Sequence, residues 1–153
     1  MQDRYIDEIP DRKEFLEKYE IKDVRIVKSL KNHEVIARKW RGNAGAHFDF
    51  KDMKVLNAHI SELPPGRHSQ KHRHSNEAII YILAGKGYTI VHQEGQAEER
   101  IDWAESDLIG IPALFWHQHF NIDQDKTVRY LAVKNIPLIK KMGLFTVERP
   151  AEK

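Results

Sequence analysis

The chain has 153 residues, no cysteine, and 25 Lys and Arg against 23 Asp and Glu, which gives a formal net charge of +2. This length predicts a single domain, and a nearly balanced charge without long runs of one sign disfavours nucleic acid or an anionic membrane as a partner. The absence of cysteine excludes disulfides, thiolate metal sites and a cysteine nucleophile.

Residues 1–50 are predicted to form an N-terminal extension with one short helix. Its charged beginning lacks the apolar region of a signal peptide, and no later stretch has the length of a membrane span, so we expect a cytoplasmic protein. Asp11, as an N-cap before apolar residues at helical spacing, predicts a helix over residues 11–19. Residues 24–27 fit a strand, and the glycine-containing residues 42–48 predict a loop.

Residues 51–137 are predicted to form a β-barrel. From residue 54 onward, short β-branched and aromatic runs alternate with breaks at Gly, Pro, Asp or Asn, which is typical of an all-β sandwich or barrel with about eight strands. Residues 79–83 are apolar on both faces of their predicted strand, so we expect the extension or a second subunit to cover the outer face. Residues 138–153 are predicted to form a C-terminal tail that starts with a short helix.

Two His-x-His pairs stand out among the nine histidines. His72 and His74 are two residues apart, and His117 and His119 have the same spacing. Because side chains alternate between the faces of a strand, each pair places two imidazoles on one face. Neutral imidazole is a common ligand of divalent transition metals, but a single histidine is more often exposed or hydrogen-bonded. Spacing alone leaves both interpretations open.

The residues around these pairs resemble the two motifs of the cupin superfamily, whose members are small antiparallel β-barrels of the jelly-roll type. The first motif keeps every interval: Gly66, five residues, His72, one residue, His74, three residues, Ala78, six residues, Gly85. The second does so as well: Ser106, five residues, Pro112, one residue, Leu114, two residues, His117, three residues, Asn121. Ser106 and Leu114 stand where the second motif usually has glycine.

The cupin resemblance implies that His72, His74 and His117 are metal ligands inside the barrel. The usual glutamate ligand of the family is replaced by Ala78, which cannot coordinate a metal. Glu77 lies one residue earlier, and on a strand it would point to the opposite face. The implied ligand set is therefore three neutral imidazoles without a carboxylate.

Among cupins, this three-histidine arrangement resembles gentisate 1,2-dioxygenase and related ring-cleaving dioxygenases. The likeness implies Fe(II), with O2 and a hydroxylated aromatic acid or an enolic, diketone-like small molecule as substrates, and cleavage of a carbon–carbon bond. Imidazole also accommodates Ni, Mn, Zn or Co, so a metal-dependent isomerase, decarboxylase or lyase is an alternative. A third interpretation is a small-ligand-binding domain without turnover, in which Ala78 marks the loss of a ligand.

Several other side chains are weaker candidates. His119 shares a face with His117 and is a candidate catalytic acid, base or substrate hydrogen-bond partner, with a solvent-facing or supporting histidine as the alternative. His59, Arg67 and Arg129 are candidate substrate-binding residues, although a hydrogen-bonded core histidine and solvated surface arginines are the more ordinary interpretations.

Strand parity separates two aromatic residues from the site. Trp116 lies on the face opposite His117, and Tyr81 on the face opposite Ala78, so both are predicted to pack or to contact a second subunit. The two-faced apolar strands and the tendency of cupins to dimerise predict a homodimer.

Overall fold

The computed structural model describes residues 9–151, which form a mostly β structure with two short helices. In chain order the elements are α1 (Pro10–Tyr19), β1 (Ile21–Val24), β2 (Ile36–Arg38), a 3-10 turn (Lys39–Arg41), β3 (Asn43–Phe50), β4 (Asn57–Leu63), β5 (Arg73–His74), β6 (Ala78–Ala84), β7 (Lys86–His92), β8 (Glu99–Ala104), β9 (Leu108–Ile111), β10 (Trp116–Asn121), β11 (Val128–Lys134), α2 (Ile136–Lys141) and β12 (Val147–Glu148). No helix in this part of the chain is long and apolar enough to cross a membrane.

The strands form one large sheet and two small ones. The large sheet has the order β1-β3-β4-β11-β6-β9, with β2 also paired to β3. A three-stranded sheet has the order β10-β7-β8, and β5 pairs with β12. All pairings are antiparallel except that of β1 with β3. The predicted all-β fold with a short helical extension is confirmed.

The large sheet and the three-stranded sheet face each other across an apolar core. Ile80 and Ile82 of β6 and Tyr130 of β11 reach this core from one side, and Trp103 of β8 reaches it from the other. None of the four is more than 5% exposed. Burial of each such side chain contributes about 2 kcal/mol before the entropy cost of ordering it, so the two sheets are held at a fixed separation.

Both helices pack together beside the large sheet. One buried cluster contains Phe15 of α1, Trp40 of the 3-10 turn and Ile136 of α2. The Phe15 ring also contacts the His47 ring of β3, with centroids 5.5 Å apart. The N-terminal helix therefore lies against a residue of the inner sheet face.

The N-terminal segment covers part of the outer face of the large sheet. Val24, Val27, Leu30 and Val35 pack against a buried cluster that includes Phe48 and Ile60. Coverage by the extension is thus observed, as expected. Further along this face, three apolar side chains are exposed: Ile79, Tyr81 and Leu108, at 54%, 39% and 67%. The homodimer, which would cover them, remains a prediction.

Three local expectations were wrong. The N-cap of α1 is Ile9 rather than Asp11, because Pro10 occupies the first helical position, where its fixed φ suits the helix. The strand expected at residues 24–27 instead covers Ile21–Val24. The loop expected at residues 42–48 is largely strand β3. The predicted short helix near the C-terminus is confirmed as α2.

Gly45 explains why β3 resembles a loop in the sequence. A Cβ at this position would collide with the Arg38 guanidinium and with the Ile60 carbonyl oxygen. Glycine inside a strand often marks such a close approach. The predicted boundary between extension and barrel at residue 50 therefore falls between β3 and β4, which are neighbours in the same sheet.

Two turns adopt the conformation that the cupin motif normally assigns to glycine. Ser106 has a φ of 77° and Leu114 a φ of 64°. L-residues rarely adopt such angles, at a cost of about 1–3 kcal/mol each. The chain keeps the two turns of the motif even where it lacks the glycines.

Candidate metal centre

Two chain segments bring His72 and His117 together. His72 directly precedes β5, and His117 lies in β10. Each backbone N–H donates to the carbonyl oxygen of the other residue, at 3.1 Å and 2.9 Å. Residues directly opposite each other in an antiparallel pair project to the same side. Their ring centroids are accordingly 4.3 Å apart.

His74 completes a group of three. Its ring centroid lies 5.5 Å from that of His72 and 4.8 Å from that of His117. One nitrogen from each ring lies within 4.8 Å of the others, and all three residues are at most 5% exposed. In residues 9–151, no other set of three or more histidine or acidic side chains has this spacing.

Main-chain carbonyls fix the orientation of the three rings. The Nδ1 atoms of His72, His74 and His117 lie 2.9, 2.8 and 2.9 Å from the carbonyl oxygens of Gln70, Asn76 and Phe115. A carbonyl only accepts hydrogen bonds, so each Nδ1 carries the proton, and the lone pair of each ring is on Nε2. Metal-binding histidines are commonly held in this way. The donor set therefore fits a divalent transition metal.

Burial keeps the three imidazoles neutral near neutral pH. It lowers the pKa of His117 to about 4, and it lowers the pKa values of His72 and His74 well below the usual value. Removal from water disfavours the charged ring, and this is the largest cause at all three residues. Neutral rings are the form that binds metal.

No carboxylate accompanies the three imidazoles. Ala78 lies on the inner face, 7% exposed. Glu77 is exposed, as its strand parity predicts. Among the described residues, no acidic group contributes to the pKa shifts of His72, His74 or His117. A divalent ion held there would keep its full charge and attract anionic ligands.

His119 lies next to the group without belonging to it. It is buried, and its ring centroid is 5.6 Å from that of His117. Its Nδ1 is 2.8 Å from Oγ1 of Thr89, which accepts a hydrogen bond from Nε1 of Trp103 at 2.9 Å. A threonine hydroxyl can accept one hydrogen bond and donate its own proton. Thr89 can therefore hold His119 with Nδ1 as the acceptor and the proton on Nε2.

Arg41 was missed by sequence reasoning. This residue ends the 3-10 turn, and its Nη1 donates to Nε2 of His72 at 2.7 Å. The contact agrees with a proton on Nδ1 of His72, since arginine has no acceptor. The charge of Arg41 helps to lower the pKa of His119 as well as that of all three grouped histidines. No motif or periodicity marks this turn, so only tertiary structure places it.

Lys134 was also missed, although strand parity contains a signal for it. It shares a face of β11 with the core residues Tyr130 and Ala132, and it is 2% exposed. Its direct partners in the neighbouring strands are Asn57 and Ala78. Burial and nearby arginines lower the pKa of Lys134 well below its usual value.

His59 is inside the barrel, but it lies against His47 rather than in the three-histidine group. The His47 and His59 rings stack with centroids 5.0 Å apart. His59 is 3% exposed, and its Nδ1 has no hydrogen-bond partner among the described residues. A role in substrate binding remains a prediction for this residue.

The structure does not bring the two predicted arginines to the site. Arg67 is exposed. Arg129 lies on the outer sheet face, where its Nε and Nη2 donate to Oε1 of Glu62 at 2.9 and 2.5 Å. Its Nη1 donates to the carbonyls of Leu30 and His33. Arg129 therefore attaches the N-terminal segment to the sheet.

The two aromatic residues assigned to the other face lie there. Trp116 is buried, donates from Nε1 to Glu94, and lies beneath the Arg73 guanidinium at 4.7 Å. Tyr81 is 39% exposed on the outer face. Neither has a ring contact with the three-histidine group.

Comparison with known proteins identifies the family of this fold. Residues 59–134 match the family model described as the cupin domain. The chain therefore carries a cupin domain, as the two motifs predict.

Relatives found by sequence include several dioxygenases. The 5-aminosalicylate 1,2-dioxygenase of Comamonas sp is 24% identical over 93 residues, which are 61% of this chain and 23% of that protein. The gentisate 1,2-dioxygenase of Ralstonia sp is 35% identical over 81 residues, 52% and 21% of the two chains. The acireductone dioxygenase of Danio rerio is 34% identical over 77 residues, which are 47% of this chain and 42% of that protein. The match thus spans less than half of each relative.

Solved structures share the fold. The salicylate 1,2-dioxygenase of Pseudaminobacter salicylatoxidans superimposes with a TM-score of 0.56 and 24% identity over 65% of this chain and 27% of that one. An oxalate decarboxylase gives a TM-score of 0.60 and 20% identity over 69% of this chain and 28% of that one. At these identities the likeness establishes the fold alone.

Proposed function

We propose that this cupin-domain chain is a non-haem Fe(II) dioxygenase in which His72, His74 and His117 hold the ion. The substrate class is a hydroxylated aromatic acid or an enolic, diketone-like small molecule, and the reaction cleaves a carbon–carbon bond with O2. One observation carries the proposal: three buried, neutral imidazoles share one small volume, and a carbonyl on each Nδ1 leaves Nε2 as the nitrogen with the lone pair, which in His72 accepts from Arg41. The dioxygenase relatives support the reaction class.

The chain's own residues set the conditions for this chemistry. When bound, Fe(II) supplies open positions at which an oxygen-chelating substrate and O2 are brought together. Ala78 adds no ligand on the inner face, which leaves more positions open to small molecules. The carbonyls of Gln70, Asn76 and Phe115 hold the three rings in place, and burial excludes bulk water.

His119 has a separate role in this proposal. It lies beside His117, and Thr89 can hold its Nδ1. The proton on Nε2 is then available to a substrate oxygen as a hydrogen bond, or for transfer during the reaction. Because burial lowers the pKa of His119, the ring is neutral at neutral pH and adds no charge to the site.

The decisive experiment joins metal analysis with oxygen uptake. Protein purified without a His tag is expected to contain about one iron per chain and, with Fe(II), to consume O2 in the presence of a member of a panel of hydroxylated aromatic acids and 1,3-diketones. His117→Ala should lose both the iron and the oxygen uptake. His92→Ala is the matched control, since His92 faces Trp116 across β7 and β10, on the side away from His117.

Two results would contradict the proposal. Turnover of the same substrate at an undiminished rate under argon would indicate a metal-dependent lyase, isomerase or decarboxylase. Absence of any stoichiometric transition metal would indicate a small-ligand-binding domain without turnover.

A further inference from the structure

The interior next to the three histidines contains basic side chains that form no ion pair with a described carboxylate. Arg38 is fully buried, Lys134 is 2% exposed, and Arg41 is partly buried. None of the three has an ion pair with a described residue. Their charges act on one another, since Arg38 and Arg41 both contribute to lowering the pKa of Lys134. The one acidic group that acts on Lys134 is Glu20, and its effect is the weakest of the contributions.

Arg38 is fully engaged in the fold. Its guanidinium donates to Oδ1 of Asn43 at 3.1 Å, to the carbonyl of Ala44 at 3.2 Å and to the hydroxyl of Ser61. It also contacts Nε2 of His47 at 3.2 Å. Arg38 therefore contributes a fixed charge rather than a group that can turn toward a ligand.

Arg41 and Lys134 retain donors for a ligand. Arginine has five N–H donors, and within residues 9–151 the side chain of Arg41 makes one hydrogen bond, to His72. Lysine has three donors, and the Nζ of Lys134 makes no hydrogen bond to any residue in 9–151. Lys134 also lies directly opposite Ala78, on the face where the cupin motif places a ligand. The two cations thus flank the three-histidine group.

An uncompensated buried cation is costly, and a protein normally pairs it or leaves it neutral. A divalent ion held beside two such groups would add further positive charge to the site. A bound anion removes this penalty at each cation. The cost is thus tolerated where the ligand brings the opposite charge.

We propose that Arg41 and Lys134 form an anion-recognition pair, so that the substrate is a small molecule with two anionic groups, of the dicarboxylate class. One carboxylate pairs with Arg41 at the edge of the histidine group, and the second pairs with Lys134 on the Ala78 side. The inference rests on the proposed function for the placement of the substrate at the metal, and it narrows the substrate class from acids in general to diacids.

Ligand binding measured under argon tests this directly, without turnover. The probes are salicylate and two of its ring-carboxylated forms, 4-hydroxyisophthalate and 2-hydroxyterephthalate, which keep the same hydroxy-acid group. Isothermal titration calorimetry is run on metal-loaded and on metal-free protein. We expect at least one diacid to bind about ten- to a hundredfold more tightly than salicylate, the gain typical of one charge-assisted contact.

Variants assign that preference to the two cations. Lys134→Met should lower the affinity for the diacid to that for salicylate, whereas Lys134→Arg should keep the preference for the diacid. Arg41→Met should weaken both ligands about tenfold or more. Lys86→Met, which removes an exposed cation, is the matched control and should change nothing. The thermal midpoint of Lys134→Met should be equal to or above that of the unmodified protein, since the substitution removes a buried amino group that has no hydrogen bond to a described residue.

The outcomes separate this inference from the proposed function. A diacid preference that depends on Lys134 in metal-free protein supports the anion pair even if no O2 is ever consumed. Equal affinity for salicylate and both diacids, no binding of any probe, or a preference that survives in Lys134→Met would each overturn it.

Discussion

Ala78 and Lys134 lie directly opposite each other in the ladder between β6 and β11, and both side chains point to the inner face. A carboxylate placed at residue 78 would therefore meet the ammonium group of Lys134 as well as the histidine group. This geometry distinguishes the chain from the cupin pattern with a glutamate ligand, and it leads to the first prediction.

Ala78→Glu is expected to retain metal more strongly and to bind acidic ligands more weakly. The new carboxylate would supply a fourth protein ligand and an ion pair for Lys134, so the site would lose positive charge. The larger side chain costs about 1–3 kcal/mol of overpacking, and the ion pair offsets part of this. Chelator competition and ligand titration measure the two effects. The neutral control Ala78→Gln should reproduce the packing cost without the tighter metal retention.

His119→Ala is expected to keep the metal and to lower turnover by about a hundredfold or more, the usual contribution of one positioned proton-transfer group. Thr89→Val should give a smaller loss, because it removes only the hydroxyl that contacts Nδ1 of His119. Metal content and steady-state kinetics are measured on the same samples. Unchanged kinetics in His119→Ala would place this residue outside the reaction.

The metal-free protein should become less stable as the pH falls from about 6.5 to about 4. The pKa of His117 is 6.5 in the reference state and about 4 in the folded protein, so the unfolded chain binds more protons in this window. The contribution of neutral His117 to the free energy of unfolding is therefore fully present above pH 6.5. It is lost on acidification, by about 3 kcal/mol for His117 alone. Urea midpoints measured between pH 7.5 and 4.5 provide the test. His117→Gln should flatten the slope, and an unchanged slope would argue against a neutral, buried His117.

Arg129→Met should destabilise the protein by about 3 kcal/mol without changing substrate affinity. The substitution leaves Glu62 unpaired and removes the hydrogen bonds to the carbonyls of Leu30 and His33. Denaturant unfolding measures the loss, and KM shows whether the site is affected. Arg67→Met should alter neither quantity, since Arg67 is exposed. A raised KM in either variant would restore that arginine as a substrate-binding residue.

The exposed apolar side chains of β6 and β9 predict where a homodimer would form. Ile79, Tyr81 and Leu108 lie side by side on the outer face, since Tyr81 is paired with Leu108 and Ile79 is its neighbour on the same strand face. Contiguous apolar surface of this kind commonly marks an interface. Sedimentation velocity should show a dimer, and the double variant Tyr81→Glu, Leu108→Glu should be monomeric with unchanged metal content. A monomeric unmodified protein would contradict the prediction.

The sequence was most informative where periodicity and spacing act over short distances. The His-x-His pairs placed imidazoles on common faces, and the resemblance of the two motifs to those of cupins predicted the fold that brings them together. Parity correctly assigned Trp116, Tyr81 and Glu77 to the other face. The assignments of side chains to strand faces depend on strand alternation, which a local pattern contains, whereas the predicted fold depended on the resemblance of the motifs.

What the sequence could not provide depends on contacts between distant segments. Gly45 resembles a loop residue until Arg38 is seen to lie against it. Arg41 reaches His72 across 31 positions of the chain, from a short turn without a motif. Arg129 has the composition of a surface residue, and only the folded N-terminal segment supplies its carbonyl acceptors.

The acceptors that orient the three ligand rings belong to the main chain, at Gln70, Asn76 and Phe115. Replacing any of those side chains leaves the carbonyl oxygen where it was. An alanine scan would therefore leave intact the groups that set the tautomer. Only a change in the backbone path, such as a deletion or a proline, would reveal the importance of these carbonyl groups.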